Sequence, residues 1–194
     1  LFMHSLSLES ALSGAVTTDF ELVNGFYVQK SFIPDTTATK IDNHFFQNVT
    51  DARRDKDGEI DIPYECWEQP DVDEAIAKIA NLIHPAYPEW VPNDTTLRDT
   101  NRGFAMHQDD FHYKHVSAIL YLTGHTHMVL REAGKDTPAN EAELRAGDLL
   151  VFRQSTPLAN GVSLDTRTWH GANLDSLTPG SSERRSFLYL GHIS

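Results

Sequence analysis

The sequence predicts a mainly β protein, a barrel or two-sheet sandwich with helices on one side. Three observations carry that expectation. Beyond residue 100 the chain breaks into short β-branched and aromatic runs separated by Gly, Pro and Asn. One stretch, 71–83, has the strong apolar period of a helix. The length of 194 residues suits a single domain with a sizeable core and is too short for two independent catalytic domains. Within it, 1–95 is expected to supply helical and strand support and loops, and 96–194 the β core.

Taken in order, Leu6, Leu8, Leu12 and Val16 fall loosely at helical spacing, interrupted by Ser and Gly, which suggests a helical arm. GFYVQKSFI (25–33) reads as a strand. Pro34-Asp35 ends it and opens a helix over TTATKIDNHFF. The charged, glycine-containing NVTDARRDKDGEIDIP reads as a surface loop of the kind that often closes over a site. From Asp71, the residues Val72, Ile76, Ile79, Ala80 and Ile83 share one helix face, with Asp71 or Asp73 placed to cap it and His84-Pro85 to stop it. Strand-like runs follow: RGFAMH, HVSAILYLT, HMVLRE, DLLVFRQ, GVSLDTRTWH and RRSFLYLGHI. No internal repeat or low-complexity segment is present.

Composition removes several functions. A formal net charge of −12 sets a repulsive average field against nucleic acid or an anionic membrane, and the basic pairs Arg53-Arg54 and Arg184-Arg185 form no extended patch. The single cysteine, Cys66, excludes an internal disulfide and a cysteine-based zinc site. No run approaches the ~20 apolar residues of a membrane span. The expectation is a cytoplasmic protein whose partner is a neutral or cationic small molecule, or a basic peptide, rather than a nucleic acid.

The chemistry-bearing stretch is FAMHQDDFHYKHVSAILYL (104–122). With ten histidines and 28 acidic residues, chance alone yields about one His-x-acid pair, so context must decide. In an extended segment residues i and i+2 share a face, which sends His107 and Asp109 to one interior and Gln108 away from it. His170, at the end of TRTWH and before Gly171, is the candidate third ligand. Two imidazoles and one carboxylate suit non-heme Fe(II). Further on, Arg184 and Ser186 in ERRSFLYL alternate onto one face, where they could grip a carboxylate, with Tyr121 as a second contact. Strand alternation admits only one of Arg184 and Arg185. His125 and His127 alternate onto one face as exposed histidines or a second metal pair. Arg102, His112 and Trp169 are candidate substrate contacts.

The order His107-x-Asp109, HVSAILYLT, AGDLLVF, His170 and Arg184-x-Ser186 resembles the Fe(II)/2-oxoglutarate-dependent dioxygenases, especially their prolyl-hydroxylase-like and phytanoyl-type branches. The resemblance covers roughly residues 100–190. It implies a double-stranded β-helix, a jelly-roll or cupin-like barrel. It also implies Fe(II) on His107, Asp109 and His170, 2-oxoglutarate as cosubstrate on Arg184, Ser186 and Tyr121, and O2 as oxidant. The implied reaction is hydroxylation of an unactivated C–H bond. The spacing from His170 to Arg184 keeps Arg185, Arg167 and Arg102 as alternative cosubstrate arginines. A metal-dependent cupin-like enzyme without 2-oxoglutarate, or a silent binding barrel, is the rival reading.

Overall fold

The computed structural model describes residues 20–46, 53–63, 69–134 and 139–194. The expected N-terminal arm, Cys66 and part of the 48–63 loop lie outside them. The chain runs β1 (Phe26–Gln29), α1 (Asp35–Phe46), β2 (Glu59–Pro63), α2 (Pro70–Ile83), β3 (Asp94–Thr100), β4 (Phe104–His107), β5 (Val116–Thr123) and β6 (His125–Arg131). It continues through β7 (Asn140–Arg145), β8 (Leu149–Arg153), the two-residue strands β9 (Thr156–Pro157) and β10 (Ser163–Leu164), β11 (Trp169–Ala172) and β12 (Arg185–Gly191).

The main strands form two antiparallel sheets. The larger has the order β1-β8-β5-β12-β3-β2 and the smaller β4-β11-β6-β7, while β9 and β10 pair as a separate hairpin. Alternation along β5 explains how the larger sheet serves two cores. Ala118, Leu120 and Leu122 join Ile41 of α1 and Ile79 and Ile83 of α2, together with Trp90, Leu97 and Leu188. Ile119 and Tyr121 face the other way and pack with Leu130, Leu144, Leu150 and Phe152 between the sheets. Each buried Leu or Ile contributes ~1.5–3 kcal/mol relative to exposure, so β5, apolar on both faces, ties the helices and the smaller sheet to one scaffold.

The expected strand and helix around Pro34-Asp35 are present as β1 and α1. Helix α2 also forms, but its cap is Gln69, whose Oε1 accepts from the Val72 N–H at 3.1 Å, with Pro70 as the first helical residue. The expectation that Asp71 or Asp73 caps it is corrected. Asp71 accepts from Gln69 Nε2 at 3.0 Å and pairs with Lys40 at 2.5 Å. GEIDIP contributes β2 where a loop was expected, and GVSLDTRTWH divides into β10 and β11. The turn before β8 depends on Gly147, which sits at φ +84° where an added Cβ would run into the Ile33 carbonyl oxygen. No helix among the described residues is long and apolar enough to cross a membrane.

Candidate functional site

Strands β4 and β11 place His107 opposite His170, yet Ala172 lies opposite Phe104. The three steps from 104 to 107 thus match two steps on β11, leaving one extra residue in β4. This bulge turns both Phe104 and His107 into the space between the sheets. Asp109 follows the strand end and meets them there.

His107 Nδ1 lies 2.8 Å from the Ala105 carbonyl oxygen and His170 Nδ1 lies 3.3 Å from that of Thr168. A carbonyl only accepts, so each Nδ1 carries a proton and each Nε2 is the nitrogen turned to the cavity. Asp109 Oδ1 stands 3.9 Å from His107 Nε2 and 3.5 Å from His170 Nε2. One donor atom from each of the three residues falls within 4.8 Å of the others, and no other such group occurs among the described residues. Burial holds the His170 imidazole below its ordinary pKa, against the pull of Asp109 and with the push of His107, so the ring is neutral at neutral pH. Two imidazoles and a carboxylate with converging donor atoms fit a divalent transition-metal ion such as Fe(II).

The same cavity is lined by Ile119, Met128 and Phe187 and reaches Tyr121, Thr126 and Arg185. Arg185 lies four residues along β12 from Tyr189, which hydrogen-bonds Asp109. At ~3.3 Å per residue that separation is about 13 Å. Arg185 is 1% exposed, and burial lowers its guanidinium pKa. Its Nη2 donates to the Arg102 carbonyl, whereas Nη1 is buried with no hydrogen-bond partner among the described residues. A buried guanidinium with an unused donor is a costly arrangement unless an anion completes it. The Tyr121 hydroxyl, beside Thr126, is held protonated by burial and is available as a donor.

Arg184, just before β12, and Ser186 within it turn to the other face of the sheet. Arg184 donates to Asp42 through Nη1 at 3.0 Å and Nη2 at 2.7 Å, and its Nε lies 2.6 Å from Asp99. Ser186 also donates to Asp42. Their expected place in the cavity is corrected by one residue, because the acids of α1 and β3 draw Arg184 to the helix side and alternation turns Arg185 inward.

Of the expected substrate contacts, Arg102 pairs with Glu59 at 3.1 Å and borders a neighbouring cleft of about 360 Å³ with Gly103, Phe104, Ala105, His107 and Leu177. His112 turns to Asp110 at 2.8 Å and does not line the cavity. Trp169 also stays outside, since it adjoins the inward His170 and so faces outward against Arg131, its cross-strand partner. His125 and His127 point to solvent beside Glu143 and Glu141. Arg167 donates to the Asp109 carbonyl at 2.6 Å. Sequence reasoning passed over Thr126, Gln154 and Tyr189. Alternation from Met128 and Phe187 would have flagged Thr126 and Tyr189, but nothing local signals Gln154.

No family model and no curated protein matches this chain. Its fold matches solved structures. A prolyl-4-hydroxylase from Pseudomonas putida is 18% identical over 88% of this chain and 94% of its own, at TM-score 0.58. The viral collagen prolyl hydroxylase of Paramecium bursaria Chlorella virus-1, solved as a 2-oxoglutarate complex, is 10% identical over 90% and 97%, at TM-score 0.57. An oxidoreductase of the 2OG-Fe(II) oxygenase family from Burkholderia pseudomallei is 15% identical over 86% and 84%, at TM-score 0.53. The shared architecture is a double-stranded β-helix with flanking helices.

Proposed function

We propose that this chain, folded as 2-oxoglutarate- and Fe(II)-dependent oxygenases are, is an oxygenase of that type that hydroxylates an unactivated C–H bond of a small or amino-acid-like substrate. The observation that carries the reading is the presence, in one cavity, of the His107–Asp109–His170 cluster and the buried Arg185 with an unused donor.

His107, Asp109 and His170 would hold Fe(II). When bound, Fe(II) with 2-oxoglutarate and O2 supplies the oxidising power that places one oxygen atom in the substrate while the 2-oxo acid leaves as succinate and CO2. Arg185, Tyr121 and Thr126 receive the distal carboxylate of 2-oxoglutarate, replacing the partner that the guanidinium lacks. Ile119, Met128 and Phe187 keep the space between the two ends dry, which strengthens both charge contacts. The half-exposed His107 marks the open side, and the cleft beside it gives the substrate an approach. The acidic chain disfavours a nucleic acid there.

Anaerobic titration of the Fe(II) protein with 2-oxoglutarate tests this through its weak visible charge-transfer band. The band is expected in the wild type and in Arg184→Ala, and lost in Arg185→Ala. Iron bound with no band in the wild type would favour the cupin-like metal enzyme. A band lost in Arg184→Ala and kept in Arg185→Ala would reverse the arginine assignment.

A further inference from the structure

Asp109 does not meet the two imidazoles as a free carboxylate. Its Oδ2 accepts from Gln154 Nε2 at 2.6 Å and from the Tyr189 hydroxyl at 3.1 Å. Gln154 Nε2 also donates to Ser117 Oγ at 2.9 Å, and Ser117 Oγ lies 2.9 Å from the Tyr189 oxygen. The four groups close a ring contributed by β5, β12, the segment after β8 and the segment after β4. Gln154 is 1% exposed and Ser117 is fully buried, so solvent does not substitute for either of them.

Proton positions follow from counting donors. The amide gives one N–H to Asp109 and one to Ser117, and the phenol gives its proton to Asp109. The Ser117 hydroxyl therefore donates to the phenol oxygen. Rotating the amide would set its carbonyl against the carboxylate, so Asp109 fixes the orientation of Gln154. Both directional donors converge on Oδ2, and Oδ1 alone remains turned to His107 and His170. The backbone is fixed as well, by Arg167 Nη1 on the Asp109 carbonyl at 2.6 Å and Gln108 Nε2 on the Arg167 carbonyl at 2.7 Å.

We infer that Gln154 and Tyr189, supported by Ser117, are positioning residues that make Asp109 a one-oxygen metal ligand and keep Oδ2 from taking a second coordination position. The inference rests on the metal site proposed above. A carboxylate free to swing would occupy space on the ion that the cosubstrate and O2 need, so the ring protects vacancy as much as it orients a ligand.

Mn(II) is the probe, because water-proton relaxation reports how many inner-sphere waters the bound ion keeps. With three protein donors on an octahedral ion the wild type should hold about three. In Gln154→Leu/Tyr189→Phe the count should fall to about two, with Mn(II) bound at least ~10-fold more weakly. Tyr189→Phe preserves the ring's packing and Ser117→Ala touches Asp109 only through its neighbours, so these single changes should lie between the extremes and carry the test if the double variant does not fold. An unchanged water count and affinity in the folded double variant, or in both single variants where the double fails to fold, would overturn the inference. A wild type that binds no Mn(II) would overturn the metal site itself.

Discussion

Adjacent acids at positions 109 and 110 have different fates, and the difference is one of direction. Asp109 faces the imidazoles, while the Asp110 side chain is 65% exposed and bonded to His112. Asp109→Ala is therefore expected to abolish Fe(II) binding in an equilibrium titration, whereas Asp110→Ala should bind iron and melt as the wild type does. Loss of iron binding from Asp110→Ala alone would place the register wrong by one residue. That register was legible because alternation around His107 settles it within three positions. The same rule left Arg184 and Arg185 undecided, since either phase satisfies the pattern at the start of a strand. What decides is distant in sequence: Asp42 and Asp99 claim Arg184, and Thr100 pairs opposite Arg185. Trp169 was readable, because an inward His170 already requires its neighbour to point out.

Strands β5, β8 and β12 announce themselves because they are apolar for most of their length. β2, β3 and β7 do not. In β7, Glu141 and Glu143 occupy the solvent face of an edge strand, and in β3 the buried positions include Asp99 and Thr100. Hydrophobic pattern cannot reveal a strand whose interior is polar and satisfied by ion pairs. Turns can compensate, and the one before β8 combines Gly147 with Asp148. Asp148 accepts from the N–H groups of Ser31 and Arg145, each at 2.9 Å, and from Lys30 at 2.8 Å. Burial alone would raise this carboxyl, but Lys30 and the two N–H groups outweigh it and hold its pKa below the usual range. A depressed native pKa contributes stability above the unfolded value of ~3.9 and loses it as pH falls through the native one. Asp148→Ala should thus cost ~1–3 kcal/mol in urea melts at neutral pH. The gap to wild type should narrow as pH falls below about 4; a gap constant to strong acid would refute the role given to the charge.

Across the whole molecule, charge joins parts that the apolar cores leave separate. Asp99, fully buried on β3, pairs with Arg54 from the loop before β2 and with Arg184 just before β12, and Arg184 continues to Asp42 on α1. Desolvation raises the Asp99 pKa despite both arginines. Asp99→Asn is expected to destabilise the fold by about 3 kcal/mol, because it leaves guanidinium charge at a site closed to water. Denaturant unfolding with an unchanged midpoint would contradict this. The broad fold was legible from composition and strand spacing, but this network, spread from position 42 to 184, has no local signature. The sheet order carries a consequence for how the chain reaches its native state. β12, the latest strand in the order, lies between β5 and β3, so both inner strands wait with open edges until residues 185–191 arrive. Every earlier stage of synthesis holds an unfilled slot in mid-sheet, and the strand that fills it also delivers Arg185 and Tyr189. During synthesis, closure of the larger sheet and delivery of these two cavity residues therefore fall together.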